Sequence, residues 1–220
     1  MITKEIFQVG GGDYTAPEDA AIYLVSMDEK AAIVDAGCGN STDRLLKNIR
    51  SCNVPDEAID YLLITHCHFD HTGGAAELKE RLNLKVVAHS LDAEYLEKGD
   101  QHVTAASWYG AVLKPVSVDI KLSKHTETIC LGHREITAIH LPGHSPGSVV
   151  YQVDSEEQTV LFAQDVHGPI HPDLLSDQDA YQASLKQMLD LNVDILCEGH
   201  YGIFHGKDAV RDFIISFMKS

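Results

Sequence analysis

The sequence predicts an α/β fold in which two sheets lie face to face and helices cover their outer sides. Early β-rich runs come first, followed by two passages in which strands alternate with helices. That order suits a layered sandwich better than a doubly wound sheet. The run "DYLLIT" (60–65) is almost continuously apolar, as a strand buried on both faces requires. Two late segments carry apolar stripes at helical spacing: Tyr181, Leu185, Met188 and Leu189 in one, Val210, Phe213, Ile214 and Phe217 in the other.

The elements follow in order. "EIFQVG" (5–10), "AIYLVS" (21–26) and "AAIVDA" (31–36) read as strands separated by Gly-rich and charged turns. "STDRLLKNIRSC" (41–52) reads as a helix that Ser41 or Thr42 caps, with Leu45, Leu46 and Ile49 on one face. After "DYLLIT" come a helix in "GGAAELKERL" and a strand in "KVVAH". The stretch from about 90 to 118 is helical but irregular, with "SWYG" in its middle, and is expected to form a helical lid inserted into the domain. "ETICL", "EITAIHL", "SVVYQVD" and "TVLFAQD" are strands, and "VDILCEGH" is a further strand between the two late helices.

Bulk properties narrow the function. At 220 residues, 44% hydrophobic and 23% charged, the chain is expected to fold as one domain over 1–220 with a full core. Five cysteines, an odd number with no C-x-x-C pair, do not make a disulfide pattern and point to a reduced, cytoplasmic protein. The opening "MITKEIFQVGGG" lacks the apolar stretch of a signal peptide, and no run approaches the ~18 apolar residues of a membrane span. A formal net charge of −16 argues against nucleic-acid binding, which relies on clustered Lys and Arg. The expected partner is a small-molecule substrate, with a homodimer as the expected assembly. A bound anion would need local positive charge, which metal ions can supply.

The chemistry concentrates in "ITHCHFDHTGG" (64–74), which sets His66, His68, Asp70 and His71 within six positions directly after the buried strand. His66 and His68 are two apart in an extended segment, so both side chains leave the same side and can reach one ion. Asp70 and His71 follow a turn and can serve a second position. His144 in "HLPGHSPGS", Asp165 in "LFAQD" and His200 in "LCEGH" each end a β-like run, where loops collect ligands on a rigid frame. This N/O donor set suits zinc, iron or manganese and lacks the thiolates of a closed structural zinc site. Seven ligands exceed the four of one tetrahedral ion, whereas two ions bridged by a carboxylate would use them all. Two cations about 3.5–4 Å apart can hold a bridging hydroxide at neutral pH and polarise a carbonyl.

The succession H-C-H-F-D-H, P-G-H-S-P-G-S, the Asp of A-Q-D and the final G-H, preceded by Asp35 in "IVDAG", resembles the metallo-β-lactamase superfamily along nearly the whole chain. The resemblance implies a four-layer αββα sandwich with a dinuclear metal site between the upper edges of the sheets. It implies that His66, His68 and His144 hold one metal, that Asp70, His71 and His200 hold the other, and that Asp165 bridges them. Two divalent ions are therefore implied as cofactors, zinc first, with iron or manganese as the alternatives. Asp70 is also implied as the catalytic residue that orients the hydroxide.

Within the superfamily, antibiotic-hydrolysing members lack a bridging Asp at the position of Asp165, nucleases add domains or basic surfaces, and flavin-bearing diiron members fuse a flavodoxin domain. "LPGHSPGSVVY" is similar to the pattern of hydroxyacylglutathione hydrolase (glyoxalase II) and its lactonase relatives. Glyoxalase II adds a C-terminal helical region that contacts glutathione, and about twenty residues follow His200 here. The expectation is therefore hydrolysis of a thioester or lactone. The alternative is a sulfur (persulfide) dioxygenase of the same fold, with one iron held through residues corresponding to His66, His144 and Asp165. Five further residues are candidates for substrate contact: Cys38 on a Gly-rich loop, Trp108 and Tyr109 in the insert, and His167 and His171 after Asp165. Cys67, between two ligands, is expected to point away from them into the core.

Overall fold

The computed structural model describes residues 1–163 and 165–219. The first sheet runs β1 (Ile6–Gly10), β2 (Ile22–Met27), β3 (Lys30–Val34), β4 (Ile59–Leu63), β5 (Lys85–His89) and β6 (Ile120–Leu122), side by side in that order. Its first two pairings are antiparallel hairpins, and from β3 onward the strands are parallel. The crossovers hold α1 (Thr42–Ser51), the one-turn α2 (Phe69–Thr72), α3 (Ala75–Leu82) and α4 (Ser90–Lys98). The second sheet is a meander of β7 (Thr126–Leu131), β8 (Arg134–His140), β9 (Val149–Ser155) and β10 (Gln158–Phe162). It is extended by β11 (Ile195–Cys197), parallel to β10, and by β12 (Ile203–His205). Helices α5 (Gln178–Leu191) and α6 (Lys207–Ile215) complete the chain.

Side-chain alternation sorts the core into three layers of contact. In β3, Ile33 packs outward with Leu45, Ile49 and Leu78 of the helices, while Ala32 and Val34 face inward. In β10, Val160 and Phe162 face inward and Leu161 faces out to Leu185, Met188 and Ile214. The middle layer joins the sheets through Tyr23, Leu63, Val87, Tyr151 and Phe162. A strand buried on both faces needs apolar residues at every position, which is why "DYLLIT" reads as it does. The result is a four-layer αββα sandwich.

Short pieces depart from the predicted pattern. β6 and β12 have three residues each, too few for alternation to show in the sequence. "VDILCEGH" is strand only over Ile195–Cys197, and "TVLFAQD" only as far as Phe162; Gln164 of that run lies outside the described residues. The stretch from 90 to 118 is not one helical lid. Its first part is α4, a layer helix that buries Asp92, Ala93 and Leu96, and only the part beyond it reaches the rim, as a 3₁₀ turn over Ala106–Tyr109.

A stacked histidine pair, His89 buried and His140 half-buried, sits where β5 meets α4. The His89 ring stacks on His140 at 3.8 Å, and its Nδ1 accepts from the Leu91 amide to cap α4 (3.4 Å). Burial and then the neighbouring His140 depress the His89 pKa to about 4, against the opposing pull of Glu127. The unfolded chain takes up this proton below about pH 6.5. The stabilisation is thus complete above that pH and is lost as pH falls through about 4. In His89→Asn, which keeps a capping acceptor, the fall in denaturant midpoint between pH 7 and 4 is expected to shrink. An unchanged acid limb would assign it to other groups.

Candidate metal centre

The ligand-type side chains arrive from both halves of the sandwich. β4 delivers the chain to Thr65–His68, and α2 turns Asp70 and His71 inward. The loop after β8 brings His144, the segment after β10 brings Asp165, and the segment after β11 brings His200. Backbone bonds stitch the halves at this edge, Val149 N to Thr65 O (2.8 Å) and Ala21 N to Gly199 O (2.8 Å), and within the first half Ala20 N donates to Asp70 O (3.2 Å).

The ligand-type atoms form three groups, of which the third, Asp165 with His167 and Glu198, shares its Asp with the second. His66, His68 and His144 present ligand atoms within 4.8 Å of one another, and so do Asp70, His71, Asp165 and His200. Asp165 stands between them. Its Oδ2 lies 3.5 Å from His144 Nε2, 3.4 Å from His200 Nε2 and 3.9 Å from His66 Nε2, while its Oδ1 lies 3.1 Å from His71 Nε2. His200 Nε2 is 3.1 Å from Asp70 Oδ2. Gly199 makes room, because a Cβ there would run into Asp165 Oδ1.

The hydrogen bonds behind the rings decide where the ring protons sit. His71 Nδ1 is 2.7 Å from Asp35 Oδ2 and His144 Nδ1 is 2.9 Å from the Pro169 carbonyl; both oxygens only accept, so each Nδ1 carries its proton. Thr65 Oγ1 donates to Asp35 Oδ2 (2.8 Å) and is thereby left to accept from His66 Nδ1 (3.0 Å). Three Nε2 lone pairs therefore converge, with His66 and His144 Nε2 only 3.2 Å apart. His68 Nε2, His71 Nε2 and Asp165 Oδ1 are buried without a hydrogen-bond partner among the described residues. Inward lone pairs and unpartnered buried acceptors repel one another unless a cation lies among them. The donor set fits divalent metal ions.

The titration behaviour repeats this demand. Burial, reinforced by neighbouring imidazoles, holds His66 and His68 well below the ordinary imidazole value. At His71 burial acts downward, but the carboxylates of Asp165, Asp35 and Asp70 outweigh it and raise the pKa well above that value. At Asp165 burial opposes the charge, but the neighbouring rings, His71 first and then His144 and His200, hold the carboxyl well below the usual carboxylate range. The acidic group draws positive charge, which a divalent ion supplies by displacing protons.

Residues 16–200 match the family model of the metallo-beta-lactamase superfamily. The chain belongs to this superfamily. It is 29% identical over 233 residues to the acyl-coenzyme A thioesterase MBLAC2 of Gallus gallus, covering 94% of this chain and 81% of that one. It is also 29% identical over 182 residues to a probable metallo-hydrolase of Methanocaldococcus jannaschii, covering 81% and 85%. Two solved metallo-beta-lactamases share its fold. One, from Cronobacter sakazakii, has a TM-score of 0.81 at 21% identity over 99% of this chain and 92% of the other. A subclass B3 enzyme of Bradyrhizobium japonicum has a TM-score of 0.80 at 23% identity over 99% and 89%. Identities this low speak for the fold alone. Family and donor set together make the chain a metallo-hydrolase of the superfamily.

The other candidates sit at varying distance from this superfamily centre. Cys38 is buried, and its thiol donates to the Glu18 carbonyl (3.3 Å); burial and then Asp70 push its pKa up, so it stays a thiol. Cys67 is fully buried in the outer core. Trp108 and Tyr109 are half-exposed at the rim, with Tyr109 against Phe69 (5.6 Å) and Trp108 edge-on to His171 (5.2 Å). His167 Nδ1 donates to Glu198 Oε1 (2.8 Å). The other oxygen of this fully buried carboxylate accepts from the His200 and Tyr201 amides, at 2.7 Å each.

Sequence reasoning missed Glu198 and Asp92. Asp92, fully buried, accepts from Cys67 N (2.8 Å), Ser145 Oγ (2.6 Å) and Gly147 N (2.6 Å), joining the two histidine-bearing loops. A Cβ on Gly147 would lie 2.7 Å from that carboxylate. The available signals were a Glu two residues before His200 and an acidic residue at a buried helix position.

Two outcomes are expected. Asp92→Ala strands three buried donors, at about 1–3 kcal/mol each; urea denaturation should show a loss of at least about 3 kcal/mol, and metal affinity should fall about 10–100-fold. Chelation of the purified protein should lower its melting temperature and re-addition of zinc should restore it, with about 4 kcal/mol gained when free metal is 1,000 times Kd.

Proposed function

We propose that the chain cleaves a thioester or a lactone with two divalent ions, zinc being the metal the donor set suits best. The observation that carries this reading is the place of Asp165 between two complete ligand groups, one oxygen toward His71 and the other toward His144 and His200. His66, His68 and His144 would hold one ion, Asp70, His71 and His200 the other, and Asp165 would reach both. Support for the substrate class comes from the acyl-coenzyme A thioesterase relative and from the glyoxalase-like segment "LPGHSPGSVVY".

When bound, the ions supply Lewis acidity toward the substrate carbonyl and lower the pKa of water. The chain's own groups arrange the rest. At Asp70, the imidazoles of His71 and His200 outweigh burial and keep the carboxylate ionised, ready to accept a hydrogen bond from the attacking water and orient it. Asp35 and the Pro169 carbonyl fix the rings of His71 and His144, so no ring must reorient as charge develops. Glu198 holds the Nδ1 proton of His167, leaving its Nε2 as an acceptor close to His200 (ring centroids 5.1 Å).

Asp165→Ala is expected to lower kcat/KM for thioester substrates by at least about 100-fold and to reduce bound metal from two equivalents. Near-parental turnover in that variant would overturn the reading. One equivalent of iron with oxygen uptake on persulfides, and no thioester or lactone cleavage, would replace it with the dioxygenase.

A further inference from the structure

Five of the nine exposed large apolar side chains among the described residues, Tyr14, Trp108, Tyr109, Leu175 and Tyr201, lie on or next to segments tied to those that carry the metal-centre residues. Tyr14 and Tyr201 lie with His200 along a polar groove of about 500 Å³. The other three come from opposite halves of the sandwich, and the Trp108–His171 contact links the segments that carry them. Tyr109 packs on Phe69, the residue before Asp70. Trp108 reaches the His171 ring on the segment that follows Asp165. Leu175 closes the 3₁₀ turn that His171 caps, and the next residue, Ser176, donates from Oγ to the His144 carbonyl (2.7 Å).

Leu175 is the informative residue. Its φ of 55° lies in the left-handed region, where a bulky side chain is unfavourable and Asn or Gly is preferred. Here it holds a leucine that stays 47% exposed, so neither backbone preference nor core burial explains it. Strained backbone beside a reactive centre points to function. The surrounding charge narrows the ligand: residues 99–113 and 165–177 contain no Lys or Arg but include Asp100, Asp165, Asp173 and Asp177. Neither segment offers a Lys or Arg to an anionic end, while the exposed Trp108, Tyr109 and Leu175 offer apolar surface to an uncharged hydrocarbon.

We propose that Trp108, Tyr109 and Leu175 seat the apolar acyl chain of the substrate, so that carbonyl compounds with an extended hydrocarbon chain are preferred over short ones. This rests on the hydrolase reading, and it assigns the acyl side of the substrate to the Trp108–Leu175 wall.

Trp108 is the sole tryptophan in the chain, so its emission reports the seat directly. The metal-loaded protein is titrated with neutral 2-alkanones from butanone to 2-decanone, which are not hydrolysed. The expected result is a blue shift of the emission, with affinity rising about threefold to fourfold per added methylene. Leu175→Asn suits the backbone at that position and should fold; it is expected to flatten the chain-length series. The kcat/KM values for S-acyl-N-acetylcysteamine thioesters, acetyl to decanoyl, should rise along the same series and flatten in the same variant. A flat series in a protein that hydrolyses thioesters overturns the seat, as does a slope that Leu175→Asn leaves unchanged. A slope in the ketone series without cleavage of any thioester or lactone supports the seat and overturns the hydrolase reading instead.

Discussion

Two buried carboxylates behind the centre, Asp35 and Asp92, set the geometry on which the rest of the site depends. Asp35 stands at the end of β3 with a left-handed backbone (φ 62°) and accepts from the Thr65 amide, the Thr65 hydroxyl and His71. Asp92 reaches from α4 to the amide between His66 and His68 and to the loop that carries His144. A buried carboxylate is stable only when its lone pairs are filled, so each forces its donors into one arrangement. These carboxylates therefore hold the loops that carry the rings, and the Nε2 atoms of His66, His71 and His144 converge because their Nδ1 atoms are tied down.

This explains why an acidic chain can gather five imidazoles and two carboxylates in one place. Fixed on the outside, the groups cannot turn away from one another, and the resulting demand for positive charge becomes a property of the fold. The exposed aromatic rim adds a second, independent character to the same edge: apolar surface around a charged pit. Such a pairing suits the proposed substrate, whose uncharged chain gains by burial and whose carbonyl gains by electrostatics.

The architecture and the ligand set were legible in the sequence because both are local. His66 to His71 share one segment, and His144, Asp165 and His200 each end an apolar run, so spacing alone placed them. The four layers followed from the runs at 60–65 and 181–189. What the sequence concealed is long-range or short. Asp92 meets its partners 25, 53 and 55 residues away, and Glu198 meets His167 across 31 residues. The local signals, a Glu two residues before His200 and an acid on a helix, do not reveal these distant partners. The strands at 120–122 and 203–205 are too short for a period of two to register. The stretch at 90–118 misled because a buried layer helix and a rim turn follow each other without a break in composition.

The division of the ligands between the halves bears on how the protein comes to be active. Four of the seven ligand-type side chains, His66, His68, Asp70 and His71, lie in the part of the chain made first, while His144, Asp165 and His200 follow with the second sheet. The early quartet stands without the Asp165 carboxylate until β10 is in place, and without the His200 imidazole until β11 has paired beside it. The centre is thus assembled last, at the seam between the two sheets. A partly folded chain therefore presents only fragments of the donor set.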